Sequence, residues 1–231
     1  MRELQMANQF DNVVRMGGAI AVEQTNKVLR NTYMLLSMTL LFSAAMAGVA
    51  MAMNVAYGLS LVTSLVALGL LWFVMPRTAN SSAGIGVVFA ITGLLGFGLG
   101  PVLNHYLSLS NGSEIVLLAL GITGASFLGL SGYVLVSRKD FSFMRNFLFI
   151  GVMVAFIAGI VSLVAGLVGY PMPALALAVS AMFAFLMCGM ILWQTSEIVN
   201  GGETNYVLAT IGLYVTLYNL FTSLLHLLGA F

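Results

Sequence analysis

The sequence predicts an all-α integral membrane protein with seven transmembrane helices, the last of them central in the bundle. Of the 231 residues, 61% are hydrophobic and only 6% are charged, whereas an average soluble domain is roughly 25% charged. A helix of about 20 apolar residues crosses a bilayer, and seven runs of about this length follow one another with short connections. A soluble domain is therefore excluded.

The seven predicted spans occupy most of the chain after residue 30. They lie at 31–53, 59–75, 84–103, 115–136, 147–168, 173–193 and 206–228. The third span holds six glycines and ends near Pro101, features that weaken a helix. The distribution of positive charge along the chain nevertheless supports the third span. With seven spans and the N-terminus inside, every Lys and Arg falls on the cytoplasmic side, and the C-terminus is extracytoplasmic.

Residues 1–30 are predicted to be a cytoplasmic tail preceding the transmembrane domain at 31–231. The tail is rich in charges and has no continuous apolar core, so it does not resemble a secretory signal. Apolar Leu4, Phe10, Val13 and Val14 are interleaved with those charges. Two alternatives remain for it, a short interfacial helix or a mobile tail.

The last span carries more polar side chains than any other apolar run. At about 100° per residue, one narrow stripe of its surface collects Ala209, Gly212, Thr216, Asn219, Ser223 and His226. Lipid cannot hydrogen-bond an amide or an imidazole. We therefore expect the stripe to face other helices, with Asn219, Ser223 and His226 as its buried polar groups.

Small residues four positions apart predict close helix packing. Gly96 and Gly100 form one such pair, and Ala125 and Gly129 form another.

Catalytic and metal sites are not expected. Gly129-Leu130-Ser131-Gly132 is similar to the nucleophile motif of rhomboid proteases, with His226 as the base. The two side chains nevertheless lie about 20 Å apart in depth, too far for a nucleophile and its base. Two lone histidines and one cysteine make no metal site, no cofactor is implied, and dispersed basic residues exclude a nucleic-acid surface.

Two features have alternative interpretations. His226 is either a satisfied core histidine or a pH sensor. The second feature is a set of charges expected at the cytoplasmic end, which either form an ion-pair network or are solvated separately. This charge cluster comprises Arg138, Lys139, Asp140, Glu197 and Glu203.

Five ordered segments together resemble the bacterial YccA branch of the Bax inhibitor family, which carries the transmembrane Bax inhibitor motif. They are KVLRNTY at 27–33, GLGP at 98–101, SRKDFSF at 137–143, GGETNY at 201–206, and LY at 213–214 followed by NLF at 219–221. The resemblance runs from about residue 27 to 229. It implies seven helices, the last enclosed by the other six.

The resemblance also implies two activities. Bacterial members of this branch modulate the membrane-anchored FtsH protease, so the chain is expected to be a non-enzymatic, multi-pass inner-membrane protein with a periplasmic C-terminus. FtsH and membrane lipid are its expected partners, and the N-terminal tail is the expected handle for the protease. The alternative is a pH-sensitive calcium or cation leak along Thr216, Asn219, Ser223 and His226.

The sequence departs from the family at the proton sensor of the leak. The resemblance places Gln194 and Thr216 where other members have aspartates on the sixth and seventh helices. Their depths differ by roughly 6 Å, so contact directly or through a water is feasible. Neither side chain titrates, and an uncharged pair gives calcium little to replace its water. This departure favours modulation of FtsH over the leak.

Overall fold

The computed structural model describes residues 2–230, with side chains from residue 23 onward, and it confirms the seven spans. The described chain is helical and without strands, and seven of its helices are long and apolar enough to cross a membrane. The helices are α1 (Arg2–Ala52), α2 (Tyr57–Gly69), α3 (Met75–Thr78), α4 (Ala83–Leu107), α5 (Gly112–Ser137), α6 (Arg145–Leu167), α7 (Pro173–Val199) and α8 (Tyr206–Leu228).

The last span has the predicted boundaries, and others extend further. The sixth span, α7, continues six residues past Trp193 to Val199. The first span lies in a helix that starts upstream of residue 31, and its apolar portion is Glu23–Ala52. The alternatives for the tail depend on how the side chains of Leu4, Phe10, Val13 and Val14 are placed, and these lie outside the described residues.

The second span is not a regular α-helix throughout. A π-helical turn at Leu70–Val74 joins α2 to α3, and Pro76 follows within the next turn. Proline has no N–H to donate, and its ring crowds the carbonyl four residues earlier. The wider π turn provides room for that ring while the helix continues.

In the described chain, residues with positive φ end α1, α5, α6 and α7, and three of these four ends are alike. Gly201 follows α7 with φ of 78°, and Gly202 N donates to Glu197 O at 2.8 Å. Gly169 and Asn54 act in the same way after α6 and α1, with φ of 89° and 48°. These are Schellman-type ends, in which the left-handed residue lets the next amide satisfy a free carbonyl of the last turn. The connections can therefore be short.

Helix α8 packs directly against α1, α4, α5 and α7, whereas α2 packs on α4 and α6 packs on α7. In its most apolar stretch 61% of the residues are buried, more than the 50% of α4. Leu213, Tyr214 and Leu220 are almost fully enclosed. Enclosure by all six other spans stays a prediction, because α8 has four direct neighbours.

Only one of the two small-residue pairs mediates packing within the chain. A Cβ at Gly96 would overlap the backbone of Ser43 on α1, and one at Gly100 would lie 2.5 Å from Ala50 Cβ. These glycines therefore let α1 and α4 approach closely. The prediction for Ala125 and Gly129 is wrong, because both are exposed and a Cβ at Gly129 would meet nothing within 4 Å.

Positive charges gather at one end of the bundle, here called the basic end. The start of α1, the α3–α4 turn, the α5–α6 loop and the α7–α8 turn meet there: Asn205 Nδ2 donates to Ala79 O, and Phe141 N donates to Ser196 Oγ. The Lys and Arg side chains of residues 23–230 all belong to these segments: Lys27, Arg30, Arg77, Arg138, Lys139 and Arg145. This clustering agrees with the charge argument for seven spans.

Candidate functional site

The centre of the candidate site is a direct hydrogen bond between α7 and α8. Thr216 Oγ1 donates to Gln194 Oε1 at 3.1 Å. Thr216 is buried and Gln194 is half-buried. The two positions predicted to correspond to the proton sensor are therefore in contact, and no water is needed between them.

Gln194 also lies beside a glycine one turn earlier on α8. Gly212 is four residues before Thr216 and lies on the same face of the helix. A Cβ at Gly212 would lie 3.4 Å from Gln194 Nε2, which is ordinary van der Waals contact. The Gln194 amide is therefore close to α8 at two successive turns.

A cavity of about 370 Å³ connects this hydrogen bond with the basic end. Gln194 and Gly212 lie at its inner limit, and Arg145, Glu197 and Glu203 line the part nearer the basic end. The cavity therefore brings two carboxylates and one guanidinium near a neutral hydrogen-bonded pair.

Two of the remaining polar groups of the α8 stripe, Asn219 and His226, have separate hydrogen-bond partners. Asn219 is half-buried and its Nδ2 donates to Val215 O at 2.9 Å, while Ser223 is buried. His226 Nδ1 lies 2.7 Å from Ser180 Oγ on α7. The histidine thus has a neutral hydrogen-bond partner within the bundle, which is the arrangement expected of a satisfied core histidine.

The contacts of Ser131 agree with the exclusion of serine proteolysis. Its Oγ lies 3.1 Å from Thr195 Oγ1 on α7, whereas His226 pairs with Ser180 on the same helix. Thr195 and Ser180 are 15 residues apart, which corresponds to about 22 Å along a helix. Ser131 and His226 therefore belong to opposite ends of the bundle.

Among the described side chains, the charge cluster does not form the ion-pair network that was one alternative. Each carboxylate accepts hydrogen bonds from neutral donors instead. Glu197 accepts from Trp193 Nε1 at 3.2 Å, and Glu203 accepts from Asn205 N at 2.7 Å. Asp140 accepts from Ser142 N at 2.8 Å, which holds the pKa of its carboxyl below the usual range.

The basic members of the cluster are also without a carboxylate partner in the described chain. The Lys139 ammonium lies over the Tyr133 ring, 5.6 Å from its centroid, and this phenol raises the pKa of Lys139. Arg138 ends α5 in the left-handed conformation, with φ of 50°. Lys139 is therefore held by an aromatic contact with α5 and not by an opposite charge.

Metal chemistry has no evident location in the described residues. Within this part of the chain, no group of three or more His, Cys, Asp or Glu side chains is placed to hold an ion. The chemistry available at the Gln194–Thr216 pair is therefore hydrogen bonding between uncharged groups.

Sequence reasoning missed the polar junction that joins three helices. Tyr214 Oη on α8 lies 2.5 Å from Ser43 Oγ on α1 and donates to Thr92 O on α4 at 3.2 Å. A reading of hydrophobic periodicity counts a tyrosine within an apolar run as an apolar residue. The hydrogen-bonding capacity of its hydroxyl is then overlooked. The one available signal was the Leu213-Tyr214 segment of the resemblance.

Two residues that fix loops at the basic end were missed as well. Ser196 Oγ accepts from Phe141 N and donates to Lys139 O, which fastens the α5–α6 loop to α7. Asn205 Oδ1 caps α8 by accepting from Val207 N at 2.8 Å. The position of Asn205 before an apolar run is a recognised capping signal, whereas the role of Ser196 depends on tertiary contact.

Comparison with known proteins gives consistent matches over nearly the whole chain. A family model described as "Inhibitor of apoptosis-promoting Bax1" matches residues 25–231. An uncharacterized membrane protein of Vibrio cholerae is 49% identical over 206 residues, which cover 89% of this chain and 90% of the relative. The Escherichia coli K12 protein named "Modulator of FtsH protease YccA" is 46% identical over 205 residues, with the same coverage. An uncharacterized Pseudomonas aeruginosa protein is 44% identical over 216 residues, covering 93% and 95%.

Proposed function

This chain belongs to the Bax inhibitor family, and on that premise we propose that it is a multi-pass protein of the bacterial inner membrane that binds and modulates the FtsH protease. It acts as a binding partner and not as an enzyme. The observation that carries the proposal is the 46% identity, over about nine-tenths of both chains, to the relative named as a modulator of FtsH.

The geometry of the central pair supports modulation over ion leakage. Two carboxylates that share a site titrate with pH, because the second charge is disfavoured beside the first. Gln194 and Thr216 instead form a neutral hydrogen bond. Neither side chain changes its charge with pH, so the bond holds α7 and α8 together at every physiological pH. Protonation therefore does not open the bundle at this position.

The basic end offers a surface for a protein partner. Residues 24–29 of α1 line a cavity of about 640 Å³ together with Leu135, Arg138 and the α7–α8 turn. Charge distribution predicts that this end is cytoplasmic, which is the side on which FtsH degrades its substrates. The N-terminal residues before this cavity are then the handle for the protease.

Co-purification from native membranes tests the proposal. Tagged full-length chain is expected to enrich FtsH over an unrelated seven-span membrane protein. Removal of residues 1–22, which leaves the cavity-lining residues 24–29 in place, is expected to abolish the enrichment.

Two controls sharpen the result. Gln194→Ala changes the centre of the bundle and leaves the basic-end surface intact, so it is expected to retain FtsH. Half-life measurements of an FtsH membrane substrate, with and without the chain, report modulation separately from binding. Failure of the full-length chain to enrich FtsH would contradict the proposal.

A calcium or cation leak is the second candidate, and the cavity lined by Glu197 and Glu203 is the observation that favours it. Carboxylates near a membrane surface attract cations. Beyond them, however, a cation would meet the neutral Gln194–Thr216 pair, which offers a hard ion weak ligands.

Calcium flux into proteoliposomes between pH 6 and 8 separates the two candidates. The neutral pair predicts flux equal to that of empty vesicles at every pH. A flux that steps with pH would establish the leak, and His226→Ala would then test the remaining titratable group of the α8 stripe.

A further inference from the structure

Helices α1 and α5 border a seam in which their backbones do not pack against each other. Within the described residues each packs on α4, α7 and α8 instead. The side chains of Tyr33 and Phe127 bridge the seam, with ring centroids 5.8 Å apart. Beside this bridge the seam holds a cavity of about 310 Å³, here called the α1–α5 crevice.

The α1–α5 crevice is apolar and opens sideways from the bundle. Its floor is formed by α8, where Tyr214 and Phe221 are 1% and 7% exposed. Its lips are Leu40 on α1 and Leu120 on α5, which are 37% and 53% exposed. Since these lips lie within membrane spans, the crevice opens toward lipid.

The chemistry of the crevice suits a hydrocarbon chain. Most of its lining is aliphatic or aromatic, and two hydroxyls in it belong to Ser43 and Thr123. Both are already hydrogen-bonded within the protein, to Tyr214 Oη and Ala119 O. An acyl chain makes apolar contacts with such a lining and needs no hydrogen bond there.

The same seam holds cations at the basic end. Lys27 of α1 and Arg138 of α5 line the 640 Å³ cavity there, together with one carboxylate, Glu203. Both cations are exposed. A phosphate diester placed between them would meet two positive charges against one negative charge, which favours an anionic headgroup.

The two cavities are separated by about the depth of one lipid leaflet. Arg138 is 11 residues from Phe127 and Lys27 is 13 residues from Leu40, which corresponds to about 16 and 20 Å of helix. One leaflet contributes about 15 Å of hydrocarbon. Between them lies Tyr33, which with Phe127 bridges the seam.

We propose that the α1–α5 seam binds one anionic glycerophospholipid, with its phosphate between Lys27 and Arg138 and one acyl chain in the α1–α5 crevice. Charge complementarity at the basic end selects the headgroup, and the apolar lining of the crevice receives the chain. The bound lipid closes the gap between α1 and α5 and covers the floor formed by α8.

A photoactivatable phosphatidylglycerol tests the proposal, with a diazirine near the methyl end of one acyl chain, because the crevice begins about 16–20 Å of helix from the two cations. The full chain is reconstituted in phosphatidylcholine nanodiscs with a small fraction of the probe, and labelled peptides are mapped by mass spectrometry. Labels are expected to concentrate on the α1 and α5 segments that line the crevice. Labels spread evenly over the lipid-facing surface, α6 included, would overturn the proposal.

A matched pair of glycine variants isolates the crevice. Gly124 lines it, and a Cβ there would meet nothing within 4 Å, so Gly124→Leu starts a bulky side chain in free space at the wall of the crevice. Gly121→Leu is the control, since Gly121 is exposed on the same helix, has the same free space and does not line the crevice. Crevice labelling is expected to fall roughly fivefold or more in the first variant only. Equal labelling in both variants, or crevice peptides shielded by a second copy of the chain, would contradict the proposal.

The headgroup is tested by Lys27→Gln combined with Arg138→Gln. The double variant is expected to lose the preference for the phosphatidylglycerol probe over a phosphatidylcholine probe with the same acyl chain. Labelling by the phosphatidylcholine probe should be unchanged, because the crevice is intact. A preference that survives would show that the two cations do not hold the phosphate.

Discussion

At the scale of single residues, the chemistry of the site follows from one amide and one hydroxyl. Thr216 donates to Gln194 at 3.1 Å, and these are the two positions that the family resemblance aligns with a pair of aspartates. A carboxylate pair changes its charge with pH, whereas an amide and a hydroxyl keep their hydrogen bond throughout. The contact is therefore an interhelical hydrogen bond that holds α7 and α8 together independently of pH.

Replacement of Thr216 by valine tests how much this hydrogen bond contributes to the free energy of unfolding. Thr216→Val keeps the shape of the side chain and removes the donor to Gln194, which leaves a half-buried amide oxygen unpaired. Interhelical hydrogen bonds in membranes contribute about 0.6 kcal/mol on average and about 1.7 at most, so a loss of that order in unfolding free energy is expected. Reversible unfolding in detergent micelles measures it.

The control for Thr216 is Thr222 on the same helix. Thr222 Oγ1 bonds only to carbonyls of its own helix, those of Tyr218 and Asn219. Thr222→Val should change stability less than Thr216→Val. Equal losses in the two variants would indicate that the bond to Gln194 adds nothing to stability.

Asp140 provides a pH dependence whose sign can be worked out. Hydrogen bonds from Ser142 N and Oγ lower the pKa of its carboxyl. Its contribution to stability is complete above the unfolded pKa of about 3.9 and is lost as pH falls through the lower folded value. The thermal midpoint of wild type should therefore fall more steeply below about pH 4 than that of Asp140→Asn. Parallel curves for the two proteins would refute this assignment.

At the scale of helices, close backbone approach between α1 and α4 sets the arrangement. Gly93, Gly96 and Gly100 face Phe42, Ser43 and Ala50 respectively, with no room for a Cβ unless a neighbour moves. At Gly96 the obstacle is backbone, which cannot rotate away. The glycines that weaken α4 as an isolated helix therefore position it in the bundle.

Gly96→Ala tests this role of close packing. The added Cβ would overlap Ser43 O and lie 2.5 Å from Ser43 Oγ, and overpacking of this kind costs about 1–3 kcal/mol. A lower thermal midpoint is expected. Gly129→Ala is the control, since it meets nothing within 4 Å and alanine is the better helix former. An unchanged midpoint in Gly96→Ala would show that α1 and α4 adjust freely.

At the scale of the whole molecule, the bundle is polarised by charge. The described Lys and Arg side chains lie at the basic end. His105 and Glu114 flank the turn between α4 and α5, one in the last turn of α4 and the other in the first turn of α5. The proposed FtsH handle and the proposed lipid headgroup site both use the basic end. The two proposals therefore depend on the same orientation in the membrane.

That orientation is checked by labelling single cysteines with an impermeant maleimide in spheroplasts. The background is Cys188→Ala, because Cys188 is the one cysteine of the chain. Asn111→Cys, in the α4–α5 turn, should be labelled in intact spheroplasts, and Lys139→Cys should be labelled only after lysis. The opposite pattern would place the basic end outside and remove the handle from the side on which FtsH acts.

The sequence by itself determined the number of spans, the boundaries of α8, and the gathering of positive charge at one end. These depend on hydrophobic length and charge bias, which are properties of segments and do not require knowledge of partners. The resemblance to the Bax inhibitor family singled out Gln194 and Thr216 as a pair. Helix rise then placed them at similar depths in the membrane, within reach of each other.

Only the tertiary structure decided which face meets which helix. It showed that Gly96 and Gly100 pack whereas Ala125 and Gly129 do not, that the charge cluster bonds to neutral neighbours, and that Tyr214 joins α1, α4 and α8. It also revealed the seam between α1 and α5. In spans that are apolar on every side, periodicity does not distinguish a lipid-facing surface from a packed one, so these contacts depend on the three-dimensional arrangement of the helices.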